Sequence, residues 1–195
     1  MGKDSRLRLC APAFACCVMA GCTTAGPPQV HHPPVPRPPG TSSPGGVIGS
    51  PGNPLKLSCA EQSTGAAPMM PGPDDLVIGP LDIVEGKLLA TANPAGYGEH
   101  GSYKVPIAIG PGATVTVVIA AQARGRVVID NPYGPPGGVA AATYPSCQPG
   151  WTVFAQGLAF PDRRARGCVP LDVQTGGQSR TRHGTVSLFA GSCAP

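Results

Sequence analysis

Reactive side chains are sparse in this chain of 195 residues, and sulfur leads them, with eight cysteines. Cys10, Cys16, Cys17 and Cys22 crowd the first 22 residues, whereas Cys59, Cys147, Cys168 and Cys193 spread over the rest. The second set is spaced 88, 21 and 25 positions apart. A thiolate zinc site draws ligands from close pairs of the C-x-x-C kind, and these four offer none, so no metal is expected on them. Cysteines so spread fit two disulfides, which persist in an oxidising compartment. Three pairings exist. Cys147–Cys168 would clip the approach to Trp151 to the start of a following strand. Cys59–Cys193 would join the first and last strands, which often lie side by side. This pair of bridges is the expectation.

The other reactive groups do not assemble into a recognisable catalytic set. The chain has no G-x-S-x-G, H-E-x-x-H, S-x-x-K or P-loop motif. Asp74-Asp75 is the one adjacent acid pair; it follows Pro71-Gly72-Pro73 at a loop-to-strand junction, where solvated acids are expected. Met69-Met70 with His100 or His183 offers thioether and imidazole, a Cu(I) donor set, but without the H-x-M spacing of copper carriers. His31-His32 lies in a proline-rich tract without further ligands. No cofactor and no metal site is therefore expected. Arg163, Arg164 and Arg166, with Arg180 and Arg182 in the next connection, form a candidate patch for an anionic partner such as lipid heads or phosphate-rich wall polymers. The simpler reading is a solvated hairpin tip whose charges keep strand edges from pairing.

The first cysteine set belongs to a leader. Lys3, Arg6 and Arg8 make a basic start, Leu9 to Ala20 an apolar run, and Ala20-Gly21 a small-residue end. The run is 12 residues long, short of the roughly twenty that span a bilayer. Val18-Met19-Ala20-Gly21-Cys22 resembles the lipobox of bacterial lipoproteins, with Met19 where Leu is usual. The resemblance implies cleavage before Cys22 and a lipid on that cysteine. An ordinary secretion signal cleaved nearby is the alternative.

Residues 23–54 contain ten prolines with Gly, Ser and Thr, and few large apolar side chains. Such a segment buries too little surface to offset its ordering entropy. Pro33-Pro34-Val35-Pro36-Arg37-Pro38-Pro39 favours polyproline II, which extends about 3.1 Å per residue and would make residues 23–54 a disordered tether with a reach on the order of 100 Å.

Residues 55–195 must hold the remaining chemistry, and their dominant period is two. Tyr103, Val105, Ile107 and Ile109 alternate with smaller or polar residues, as do Val115, Val117 and Ile119, then Val169, Leu171 and Val173, then Val186 and Leu188. Leu55–Cys59, Leu81–Leu89, Arg126–Asp130 and Trp151–Phe160 are further candidate strands. Turn signals separate them, among them Asn93-Pro94-Ala95-Gly96, Gly110-Pro111-Gly112 and Gly176-Gly177. Val139–Thr143 is at most a short turn of helix. Pro106 and Pro170 cannot donate to a ladder, so their strands should be edges or carry bulges, and Gly157 should mark a bulge or bend. Seven to nine short strands of this kind point to an all-β domain, an antiparallel β-sandwich of immunoglobulin-like character. Trp151, the one tryptophan, lies between Cys147 and Cys168 as an analogue of the aromatic that packs on a disulfide in such domains.

Beyond Cys22 there are eleven Lys/Arg against nine Asp/Glu, too balanced for a nucleic-acid binder. The whole resembles small exported lipoproteins of actinobacterial type. That resemblance rests on the lipobox-like end, the proline-rich tether and a β-rich body closing with Gly167-Cys168-Val169-Pro170-Leu171-Asp172-Val173 and a near-terminal cysteine. It implies a membrane-anchored, extracytoplasmic protein whose body is a non-enzymatic binding or structural module, with a cell-wall polymer or another envelope protein as partner. An enzyme acting on wall or lipid substrates is the alternative, and a metal carrier the third.

Overall fold

β-branched residues at alternate positions drive the body of this chain into strands, because their stiff side chains pack well on a pleated surface. The computed structural model describes residues 47–63, 71–99, 101–162 and 166–193. The chain divides into two units, Met1–Thr41 and Ser42–Pro195, and every described residue belongs to the second. The expected leader with Cys22, the tether as far as residue 46, Met69-Met70, His100, Arg163 and Arg164 lie outside the described residues.

The described residues are mostly β, with short 3₁₀ turns between the strands, and several antiparallel sheets. One sheet has five strands in the order β1 (Leu55–Lys56), β9 (Ala141–Pro145), β7 (Thr114–Ile119), β12 (Gly167–Thr175) and β13 (Thr181–Leu188). A second runs β10 (Thr152–Phe154), β6 (Ile107–Ile109), β3 (Leu81–Ile83), β2 (Leu76–Ile78). A third runs β4 (Gly98–Glu99), β5 (Ser102–Lys104), β11 (Gly157–Ala159), β8 (Val128–Asp130). All pairings between these strands are antiparallel except β1 with β9. Val115, Val117 and Ile119, Val169, Leu171 and Val173, and Val186 and Leu188 are buried as their alternation foretells, and they share one core with Leu81, Ile83, Ile107, Ile109, Tyr144 and Phe154.

Two expected long strands are each broken once. Tyr103–Ile109 divides at Pro106 into β5 and β6, and Trp151–Phe160 divides at Ala155-Gln156 into β10 and β11. The breaks face each other: Val105 N donates to Gln156 O at 2.9 Å, so one antiparallel pair bends and passes from the second sheet to the third. Gly157 is needed at that bend, since a Cβ there would meet Tyr103 O at 2.6 Å. Leu81–Leu89 is likewise shorter than expected. It ends as a strand at Ile83, pairs in a hairpin with β2, and continues to a 3₁₀ turn over Leu88–Ala90.

Pro170 lies in a strand paired on both sides, not on an edge. Its register explains the tolerance. The ladder to β7 begins at Leu171, and Ala120 N donates to Pro170 O at 3.0 Å from just beyond the end of β7, so the missing N–H faces the side where the ladder has stopped. Val139–Thr143 is no helix: β9 occupies most of it, held between β1 and β7.

The body also begins before residue 55. Gly49 N donates to Asn53 O at 2.7 Å, and Gly49 O accepts from Ala140 N at 2.9 Å and Ala141 N at 2.8 Å. Residues 47–54, expected in the tether, are therefore tied to the domain.

The four body cysteines form two disulfides, but not in the expected pairing: Cys59 bonds Cys147, and Cys168 bonds Cys193. Topology decides this. β1 and β9 are parallel neighbours with Leu55 opposite Ala142, so the chains leaving them in the same direction deliver Cys59 and Cys147 to one place. β13 lies at the opposite edge of that sheet, which keeps the last strand away from the first. After β13 the chain turns back at Phe189, a left-handed residue with φ 55°. The Phe189 ring packs against Tyr103 at 4.8 Å and Tyr97 at 5.6 Å between centroids. The turn carries Cys193 beside Cys168.

Candidate functional site

A depression of about 650 Å³ is built where several turns meet. Gly79-Pro80 comes from the β2–β3 hairpin, Gly110-Pro111-Gly112 from the β6–β7 turn, and Thr175, Gly176 and Gln178 from the end of β12 and the β12–β13 turn. Gly110 N donates to Pro80 O at 2.8 Å, which locks the first two turns together. Glycine and proline make up half of its lining. Two large side chains flank it. Arg182, on β13, lies across Gly79 so closely that a Cβ there would meet Arg182 Cδ at 2.7 Å. Trp151 brings Cη2 to 3.5 Å from where a Cβ on Gly110 would stand. Arg182 is exposed and has no ion-pair partner among the described residues.

A second concavity, about 360 Å³, lies along the bend of β5 and β11, lined by Tyr97, Tyr103, Lys104, Asp130, Pro132 and Gln156. Ser102 Oγ donates to Asp130 Oδ2 at 2.6 Å. The acceptor is a carboxylate and no histidine stands in the bond, so the Ser–His arrangement that activates a serine nucleophile is not formed here. Behind the groove, Tyr144 is fully buried and its hydroxyl donates to Gln156 Oε1. Burial raises the pKa of that phenol, so it remains a neutral donor.

Asp172 and His183 are cross-strand neighbours on β12 and β13, with Asp172 Oδ1 and His183 Nδ1 2.8 Å apart. They border a depression of about 600 Å³ with Thr185 and Ser187. The histidine side chain is 75% exposed, so water competes for it, and a desolvated base is not formed. Ser187 Oγ donates to Gly191 O at 2.6 Å. The pair is suited to holding β13 against β12.

The acid pair identified in the sequence behaves otherwise than expected. Asp75 is buried rather than solvated, and its carboxylate accepts from Gly72 N at 2.6 Å and Glu85 N at 2.7 Å. Its charge acts on a residue the sequence did not single out, Asp82 in the middle of β3. Asp82 has no solvent exposure, and neither carboxylate oxygen has a hydrogen-bond partner. Burial, and then the nearby charge of Asp75, push its pKa up to about 7.

The candidate arginine patch is not brought together as a whole. Arg166 precedes β12, whereas Arg182 pairs with Val173, seven residues along, or about 23 Å at the rise of a strand. Arg180 stays exposed on the turn near Arg182. Among the described residues no group of three or more His, Cys, Asp or Glu could hold a metal ion, and no helix is long and apolar enough to cross a membrane. No protein-family model and no curated protein matches the chain.

Proposed function

We propose that the described residues are the cargo domain of an exported, lipid-anchored envelope protein, and that the domain acts by binding at the cell surface. The observation that carries this reading is the pair of disulfides, Cys59–Cys147 and Cys168–Cys193, which fits an oxidising extracytoplasmic compartment. The leader supports the anchor, since Cys22 follows small residues after a short apolar run. An immunoglobulin-like sandwich is the architecture we infer, supported by a single core to which all three sheets contribute. Binding is preferred over catalysis because the turn-built depression exposes Arg182, which has no ion-pair partner among the described residues, while Ser102 donates to a carboxylate rather than to a histidine and His183 is open to solvent. A cell-wall polymer or another envelope protein is the partner class this implies. Intact mass of the protein extracted from its native membrane tests the anchor. A diacyl- or triacylglyceryl adduct on a chain starting at Cys22 is expected, and an unmodified chain starting elsewhere overturns it.

A further inference from the structure

The depression between Trp151 and Arg182 has the parts of a saccharide site. Much of its lining is glycine and proline turns, so few side chains crowd it. One flank is the chain's single tryptophan, an apolar face of the kind that sugar C–H groups stack on. The other flank is a guanidinium without a partner among the described residues, a rigid fork that matches carboxylate or phosphate oxygens. Two side chains could line an accidental hollow, but these two are placed. Each crosses a glycine, and the two glycine turns are joined by the Gly110–Pro80 hydrogen bond. Gln178 and Thr114 add amide and hydroxyl groups at the rim. The indole and the guanidinium both line the one depression.

We propose that this depression binds an anionic saccharide, with the sugar ring against Trp151 and its acidic group on Arg182. The inference rests on the reading of the domain as an envelope binding module and specifies its ligand class.

Because Trp151 is the sole tryptophan, tryptophan emission, excited at wavelengths where the four tyrosines do not absorb, reports on this site. Three probes are titrated at low ionic strength: hyaluronan hexasaccharide for a carboxylate-bearing glycan, phosphorylated mannan for a phosphate-bearing one, and neutral chitohexaose. A saturable emission change with at least one acidic glycan, tenfold or more tighter than with chitohexaose, is expected, and the probe that binds names the anion. Arg182→Gln should weaken the acidic glycan by tenfold or more and leave chitohexaose unchanged. Lys56→Gln, on exposed β1, should change neither. Near-UV circular dichroism confirms that each variant is folded. No response to either acidic glycan, or equal affinity in folded Arg182→Gln, overturns the proposal, and a Cys22 adduct found by mass would still stand.

Discussion

Asp82 is the residue whose environment conflicts most with its chemistry. A carboxyl with no solvent and no hydrogen-bond partner is stable only while it carries a proton. Its pKa rises from 3.8 in the unfolded chain to about 7 in the folded one. Below about pH 4 both states are protonated and folding pays no penalty. As pH climbs, the unfolded state releases the proton first, so stability falls steadily and levels off once the folded state titrates near pH 7. That difference corresponds to about 4 kcal/mol. Urea unfolding between pH 4 and 8 should show this decline, and Asp82→Asn should flatten it and be the more stable protein at pH 8. A variant that declines as steeply as the parent would place the titration elsewhere. The sequence hid this residue for a physical reason. Leu81-Asp82-Ile83 alternates as a strand with one wet face does, and only the closing of both faces of β3 turns the polar position into a buried one.

Among the elements, strands with strong contrast between successive positions were legible and those without it were not. Val115, Val117 and Ile119 announce β7 because polar Thr114 and Thr116 flank the first of them. Ala140-Ala141-Ala142 has no such contrast and favours helix intrinsically, yet Ala141 and Ala142 open β9, because β1 and β7 hold that strand from both sides. That placement also decided the disulfides, which no spacing rule could supply: the parallel β1–β9 pair is a contact between segments about 87 residues apart. The two bridges should differ in worth. Cys59–Cys147 closes a separation of 88 residues and Cys168–Cys193 one of 25. Restricting the unfolded chain then contributes about 4.6 and about 3.5 kcal/mol respectively. Paired Cys→Ala replacement of the first bridge should lower the unfolding midpoint more than replacement of the second, and the reverse order would show that native-state packing around the bridges outweighs loop length. The candidate site divides along the same line. Trp151 stood out as the one tryptophan and Arg182 as part of a basic set, but their meeting across two hydrogen-bonded turns depends on β13 lying beside the β2–β3 hairpin, a long-range fact.

At the scale of the whole molecule, the boundary of the folded domain is a matter of hydrogen bonds rather than composition. Residues 47–54 read as tether because Gly, Ser and Pro dominate them. Their backbone nonetheless completes the domain: Gly49 O takes the N–H groups of both Ala140 and Ala141, at the point where β9 begins. Gly49 is also buried against Val139, with no room for a Cβ. Removing this segment would leave two donors without their protein acceptor and open that contact to water. Each lost bond costs about 1 kcal/mol net, so a fragment of residues 55–195 should be about 2 kcal/mol less stable to urea than one of residues 47–195. Faster amide exchange should appear at Ala140 and Ala141 first. If the two fragments unfold at the same midpoint with equal protection at those amides, the turn is an appendage and the domain starts at β1. If they differ as expected, the folded domain begins at residue 47, eight residues before the boundary that composition suggests.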